Sequence, residues 1–237
     1  MIALKGKNEA EIAKLFRKFA KKYRREYSDT SWEFIEENFW TYVYSNVCPD
    51  ILMQIYSVGI ESPNGNFYKE HLRRIKERFD ISGKVLDIGS GKIPAFANSL
   101  AYEQLQIGKG TVTLYEPLLI SKKPKHKNMT LHKCEFTSET SIKEFDLITA
   151  IMPCEATELI IEQACRNQKD FYLAMCGCVH FDYVPWGMYI YPEMYQDHVI
   201  RKAQSLLKEY NNGELVVEQL DDNYDIDYPI LYNRKKW

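Results

Sequence analysis

The sequence predicts an α/β fold with a mostly parallel sheet, preceded by a segment made of helices. Three observations predict it. Apolar residues recur at helical spacing over residues 1–80, short apolar runs alternate with helical stretches from Gly83 onward, and a glycine-containing turn, "DIGSGK", follows the first of those runs. We therefore predict an N-terminal helical cap or lid over residues 1–80 and a sheet-containing domain over residues 81–237.

The predicted cap contains four helices. Asn8 with Glu11, and Thr30 with Glu33, have the spacing of capping boxes at helix starts. The helix that follows Asn8 carries a basic face opposite its apolar one. A third helix is predicted over "PDILMQIYSVGI", then a turn at "SPNG" and a fourth helix over "FYKEHLRRIKERF".

The second domain alternates strands with helices, which is typical of parallel βαβ units. Strands are predicted at "KVLDIG", "GTVTLYEP", "MTLHKCEF", "FDLITAIMP" and "DFYLAMCGCVH". Helices are predicted at "IPAFANSLAYEQLQIG", "EATELIIEQACRNQ" and "EMYQDHVIRKAQSLLKEY". The last two apolar runs, "ELVVEQL" and "YPILYNRKK", are predicted to pair as a terminal hairpin.

Composition narrows the class of protein. The 237 residues include 31 Lys plus Arg and 33 Asp plus Glu, a near-balance that disfavours a nucleic-acid surface over the whole chain. The first residues lack the apolar core of a signal peptide, and no apolar run is long enough to cross a bilayer. The six cysteines do not have the spacing of a disulfide scaffold. A reduced, cytoplasmic protein is therefore expected.

The turn after the first strand is the first candidate for a binding site. A strand that leads through Asp87, Gly89 and Gly91 into a helix brings backbone amides and a helix N-terminus beside a carboxylate. Glycines there allow positive φ angles and the close approach of a ligand. A tight β–α turn with no ligand is the alternative. Ile93 stands where a dinucleotide-binding motif has its third glycine, so that class of site is not favoured.

An acidic residue, Glu116, ends the second strand, where a carboxylate can accept hydrogen bonds from both hydroxyls of a ribose. With Asp87, Gly89 and Gly91 it forms a pattern that resembles the class I S-adenosylmethionine-dependent methyltransferases. The resemblance covers roughly residues 83–237. It implies a Rossmann-like, seven-stranded sheet in the order 3-2-1-4-5-7-6 with only the last strand antiparallel, and S-adenosyl-L-methionine as the cofactor.

The resemblance also implies the residues that hold this cofactor. Gly89 and Gly91 would pass along its methionyl part, Asp87 would organise the loop amides or contact the ammonium group, and Glu116 would hold the ribose. Glu135 would accept from the adenine amino group, although an ordinary exposed glutamate is the alternative there. The predicted cofactor residues are Asp87, Gly89, Ser90, Gly91, Glu116, Glu135, Phe136 and Met152.

The acceptor is expected beyond the ends of strands four and five, as ligands are in open α/β sheets. "IMPC" replaces the Asn/Asp-Pro-Pro-Tyr/Phe motif of many amino-group methylating members, which disfavours base or amide N-methylation. The predicted catalytic residues are His180, Glu155 and Tyr183, and the predicted substrate-binding residues are Cys154, Trp186 and Tyr189. A histidine with a purely structural hydrogen bond and a helix-capping glutamate are the alternatives for His180 and Glu155.

Cys176, Cys178, His180 and Cys154 are possible soft metal ligands. Cys-x-Cys inside a strand is more typical of small core side chains than of structural zinc, so no metal is predicted.

We expect methyl transfer to a small molecule enclosed by the helical cap. Three alternatives stay open: an RNA methyltransferase that uses the basic helix, an enzyme that transfers the aminocarboxypropyl arm of the cofactor, and a non-catalytic binding module.

Overall fold

The structure, a computed structural model, describes residues 63–91, 94–119, 123–175, 192–219 and 229–235. These residues form a seven-stranded sheet with helices on both faces. The strands are β1 (Lys84–Ile88), β2 (Thr111–Tyr115), β3 (Met129–His132), β4 (Leu147–Ile151), β5 (Asp170–Ala174), β6 (Glu214–Glu218) and β7 (Ile230–Arg234). The helices are α1 (Pro63–Arg78), α2 (Ala95–Ile107), α3 (Thr157–Arg166) and α4 (Pro192–Tyr210), and a 3-10 turn, Cys154–Ala156, precedes α3.

The strand order is β3-β2-β1-β4-β5-β7-β6. Neighbouring strands from β3 to β5 are parallel, whereas β7 is antiparallel to both β5 and β6. This order confirms the predicted α/β, Rossmann-like class I methyltransferase fold and its terminal hairpin. Because the first five strands are parallel, their C-terminal ends meet at one side of the sheet, which we call the carboxyl edge.

The central strands are apolar because helices cover both of their faces. All five residues of β4 are buried, as are the last four of β1. α1 and α2 cover one face, on a core that contains Ile75, Val85, Phe96, Leu100 and Tyr172. α3 and α4 cover the other face, on a core that contains Leu86, Ile161, Phe171, Val199 and Leu207.

α1 differs from its prediction at its start. The segment "SPNG" is predicted as a turn, but the helix begins at Pro63 and includes Asn64 and Gly65, so that prediction is wrong over these residues. Proline is well suited to the first position of a helix, because its φ angle is already helical and the N–H that it lacks would have had no intrahelical partner.

α1 lies within the predicted cap but packs on the sheet. Ile75 belongs to the core beneath α2, and Arg74 and Arg78 bind the Glu218 carboxylate of β6 at 3.0 and 2.9 Å. The rest of the predicted cap, including its basic helix, lies outside the described residues. Within the described part of the chain, no helix is both long enough and apolar enough to span a bilayer.

Candidate functional site

The glycine turn after β1 lies at the carboxyl edge, and both of its glycines have left-handed backbones. The φ angles are 74° at Gly89 and 73° at Gly91. The Gly89 N–H donates to the Tyr115 carbonyl at 3.0 Å, and a Cβ placed on Gly89 would lie 2.9 Å from Pro153 Cα. A Cβ on Gly91 would meet no atom within 4 Å. Position 89 thus needs a glycine because Pro153 leaves no room for a side chain. At Gly91, by contrast, the space beside the backbone is open to a ligand.

Glu116 directly follows β2, and two backbone amides hold its carboxylate. Oε2 accepts the Gly91 N–H at 2.8 Å, and Oε1 accepts the Leu118 N–H at 2.8 Å. The residue is only 5% exposed, so these bonds fix its orientation. Each carboxylate oxygen has a second acceptor position. Glu116 can therefore accept two further hydrogen bonds, such as those of a vicinal diol, without losing the first two.

Asp87 lies inside the turn and organises it. Its Oδ1 accepts the Thr149 hydroxyl at 2.8 Å, and its Oδ2 accepts the Ser90 hydroxyl. Burial raises the pKa of Asp87 to about 6, and the nearby Glu116 charge acts in the same direction, while the two hydroxyl bonds oppose it. The Glu116 charge disfavours the ionised form of Asp87, so a cationic ligand at this edge would favour that form.

Aromatic side chains line the neighbouring ends of β2 and β3. Tyr115 stacks on His132 with ring centroids 4.5 Å apart, and Phe136 meets Tyr115 edge-on at 6.3 Å. Phe136 is 9% exposed, whereas Glu135 is exposed. β3 ends at His132, earlier than predicted, so both of these predicted adenine residues follow the strand rather than belong to it.

Leu118 was not predicted from the sequence as a site residue. It is 55% exposed although it is apolar, and its N–H is bound to Glu116. The sequence feature that could have indicated Leu118 is its position, two residues after the acidic residue at the end of the second strand. The Leu118 backbone thus lies beside the Glu116 carboxylate.

The segment after β4 completes the described part of the site. The Met152 N–H donates to the Ala174 carbonyl at 2.8 Å, Pro153 is buried, and the Ala156 N–H donates to the Pro153 carbonyl at 3.1 Å. Glu155 is exposed in the 3-10 turn that follows. Met152 and Pro153 thus lie at the carboxyl edge next to Gly89.

Several residues predicted to contact the acceptor lie outside the residues that the structure describes. His180, Tyr183, Trp186 and Tyr189, with Cys176 and Cys178, belong to residues 176–191, and the Cys154 side chain is likewise not described. Among the residues that the structure does describe, no group of three or more His, Cys, Asp or Glu side chains is arranged to bind a metal. The structure therefore joins Ser90 to Asp87 and Gly91 to Glu116 by direct hydrogen bonds. Of the residues predicted after β4, it describes the side chains of Met152 and Glu155.

No protein-family model and no curated protein matches the chain. Similar solved structures include a proposed class I S-adenosylmethionine-dependent methyltransferase from Listeria monocytogenes, with 13% identity, a TM-score of 0.49 and coverage of 96% of this chain and 88% of that one. The plantazolicin methyltransferase BpumL, solved with SAH, has 14% identity, a TM-score of 0.42 and coverage of 98% and 100%. The antibiotic-resistance methyltransferase Kmr has 14% identity, a TM-score of 0.41 and coverage of 69% and 93%.

Proposed function

We propose that the protein is an S-adenosyl-L-methionine-dependent methyltransferase. The observation that carries this proposal is the Glu116 carboxylate, fixed by the Gly91 and Leu118 amides at the end of β2, beside the glycine turn that ends β1. In an open α/β sheet the carboxyl ends of the strands are where ligands bind. Glu116 would hold the ribose, and the turn from Asp87 to Gly91 would contact the methionyl part.

The charges of the site support a cationic ligand. S-Adenosylmethionine carries a sulfonium and an ammonium group, and the sulfonium supplies an already activated methyl group when the cofactor is bound. Asp87 and Glu116 are both buried carboxyl groups at the carboxyl edge. The protein's main contributions would be to hold the cofactor and to align an acceptor in line with it.

Adenine is assigned to the side of the site that lies next to β3. Tyr115 and Phe136, whose rings meet edge-on, and the exposed Leu118 would provide apolar surface beside Glu116. Stacking and apolar contact suit a flat heteroaromatic ring. Glu135 is exposed, which leaves its carboxylate accessible to the adenine amino group.

For the acceptor, we propose a small molecule enclosed by the N-terminal segment. Cys154, Trp186 and Tyr189 would contact it, and His180, Glu155 or Tyr183 would orient it or accept a proton that it releases. Glu155 is exposed at the carboxyl edge, directly before α3, which is consistent with access to an acceptor.

RNA is the second candidate acceptor, and a group of exposed lysines favours it. Lys123, Lys125 and Lys127 are all exposed in the segment between β2 and β3. Clustered lysines bind phosphate backbones with an affinity that falls steeply as salt rises. Transfer to RNA that declines steeply with salt would favour this candidate, whereas turnover of a metabolite that is insensitive to salt would favour a small molecule.

A cytoplasmic location is also part of the proposal. The cysteines have no disulfide-scaffold spacing, and Cys134 and Cys165 are free thiols. Burial raises the pKa of Cys165 to about 12, which keeps that thiol protonated and unreactive.

Calorimetric titration with S-adenosylhomocysteine tests the proposal. The wild-type protein should bind it, and Glu116→Gln should weaken binding by about tenfold or more, because it removes a charged acceptor from the ribose. Glu139→Gln is the matched control, since Glu139 is exposed on the loop between β3 and β4. The proposed function is wrong if the folded wild-type protein binds no S-adenosylhomocysteine. It is also wrong if Glu116→Gln binds S-adenosylhomocysteine as tightly as Glu139→Gln does.

A further inference from the structure

Met152 has an unusual backbone conformation at the end of β4. Among the described residues, the non-glycine residues with positive φ are Met152 (57°), Gln168 (53°) and Asn211 (51°). Gln168 and Asn211 follow the ends of α3 and α4, where a left-handed residue is a common way to end a helix. Met152 instead ends a strand and precedes Pro153, and a residue before proline normally prefers an extended backbone. Its local sequence therefore does not account for this conformation.

Neighbouring chain segments hold Met152 in place. Its N–H donates to the Ala174 carbonyl at 2.8 Å, which ties it to the end of β5. Its half-buried side chain packs against the core beneath α1 and α2. The next residue, Pro153, is buried and accepts the Ala156 N–H at 3.1 Å. A strained residue persists only where its surroundings fix it in this way, and such residues concentrate at functional sites.

The turn at Met152 places Pro153 directly on the glycine turn after β1. The Pro153 Cα would be 2.9 Å from a Cβ on Gly89, so a residue with a side chain cannot replace Gly89 unless Pro153 shifts. On its other side Gly89 donates to the Tyr115 carbonyl at 3.0 Å. Gly89 is therefore held between the end of β2 and the segment that follows β4.

We propose that Met152 is a positioning residue. Its left-handed backbone sets Pro153 against Gly89, and this contact fixes two segments relative to each other: the turn from Gly89 to Gly91 and the segment from Pro153 to Glu155. The inference rests on the proposed function, in which the first segment contacts the cofactor and the second faces the acceptor. Through this contact, the backbone at residue 152 controls how the cofactor turn is held.

Three variants separate the backbone of Met152 from its side chain and from general stability. A left-handed backbone is most costly for β-branched residues, so Met152→Val strains the backbone at this position. Met152→Gly permits the left-handed backbone but removes the side chain. Asn211→Val is the matched control, because it imposes the same backbone conflict at an exposed left-handed residue after α4. Thermal unfolding of each variant shows how much stability it has lost.

The first readout is the affinity for S-adenosylhomocysteine, measured by calorimetry. We expect Met152→Val to raise Kd by about tenfold, the size of effect that backbone strain of this kind produces. Met152→Gly should raise Kd less than Met152→Val does, and Asn211→Val should stay within about twofold of the wild type. Weakening by Met152→Gly as strong as that by Met152→Val would assign the effect to the side chain and overturn the inference.

The second readout needs no ligand. The Gly89 and Gly91 amides are both hydrogen-bonded, to the Tyr115 carbonyl and to Glu116 Oε2, so their hydrogen exchange reports the order of the turn. Met152→Val should speed up exchange at both amides, and Asn211→Val should not. Equal rates in the wild type and Met152→Val, or equal acceleration by Asn211→Val, would overturn the inference. If the wild type binds no S-adenosylhomocysteine, the proposed function fails and the exchange rates alone decide the role of Met152.

Discussion

The Glu116 carboxylate and the Gly91 N–H form a 2.8 Å hydrogen bond that joins the end of β2 to the turn after β1. The same carboxylate accepts the Leu118 N–H at 2.8 Å, so two backbone amides orient it. A ligand that uses Glu116 meets an acceptor that is already in position. Such preorganisation lowers the ordering cost of binding.

Leu118→Ala should weaken the binding of S-adenosylhomocysteine by about fivefold, because it removes apolar surface from the proposed adenine position. Its thermal stability should change little, since Leu118 is 55% exposed. Ile107→Ala is the matched control, because Ile107 is 48% exposed at the end of α2, far from the carboxyl edge. Calorimetry on both variants measures the effect, and equal affinities would remove Leu118 from the site.

The raised pKa of Asp87 predicts that the unfolding free energy falls as pH rises. Burial raises the pKa of its carboxyl group to about 6, so the folded protein keeps a proton that the unfolded chain has already lost. From about pH 5 to about pH 7.5 the wild type should lose about 1 kcal/mol of unfolding free energy relative to Asp87→Asn. Urea denaturation of both proteins at the two pH values measures this difference. A difference that does not vary with pH, or that has the opposite sign, would contradict the raised pKa.

The lowered pKa of His71 predicts the opposite trend, an unfolding free energy that falls as pH falls. Burial is the main cause that lowers its pKa to about 3, and the Arg74 charge adds to it. The unfolded chain therefore takes up a proton on acidification that the folded protein does not. From about pH 7.5 to about pH 5 the wild type should lose about 2 kcal/mol of unfolding free energy relative to His71→Gln. Denaturation curves at the two pH values test this, and parallel curves would show that His71 titrates normally.

Gly89→Ala and Gly91→Ala should differ in stability although both glycines have nearly the same φ angle. Each substitution places a side chain in the left-handed region, which costs about 1 kcal/mol. Gly89→Ala also drives a Cβ to 2.9 Å from Pro153 Cα, whereas Gly91→Ala meets no atom within 4 Å. We expect Gly89→Ala to cost about 2 kcal/mol more than Gly91→Ala in urea denaturation. Equal losses would mean that the Pro153 contact yields easily.

The sheet and the acids at its strand ends could be predicted from the sequence. Parallel strands end at one edge, so Asp87 near the end of β1 and Glu116 after β2 had to lie near each other once the strands were recognised. Their direct partners could not be predicted in this way. The bonds from Gly91 and Leu118 to Glu116 depend on loop conformations that no spacing rule specifies.

The backbone conformation of Met152 could not be predicted from the sequence either. A residue before proline normally prefers an extended backbone, whereas Met152 is left-handed and its N–H is bonded to the Ala174 carbonyl at the end of β5. Individual contacts between residues far apart in sequence could not be predicted from the sequence either. The hydrogen bond between His71 Nδ1 and the Tyr172 hydroxyl, at 2.8 Å, joins residues 101 positions apart.

β7 is the last of the seven described strands in chain order, yet it lies between β5 and β6. A ribosome-bound chain that has reached only Gln219 therefore carries β6 without the strand that it pairs with in the described sheet. Completion of the sheet must wait until Ile230–Arg234 has left the ribosome exit tunnel. During that interval the far side of β5 is an open strand edge, which is the part of a growing chain that recruits chaperones or pairs with other chains.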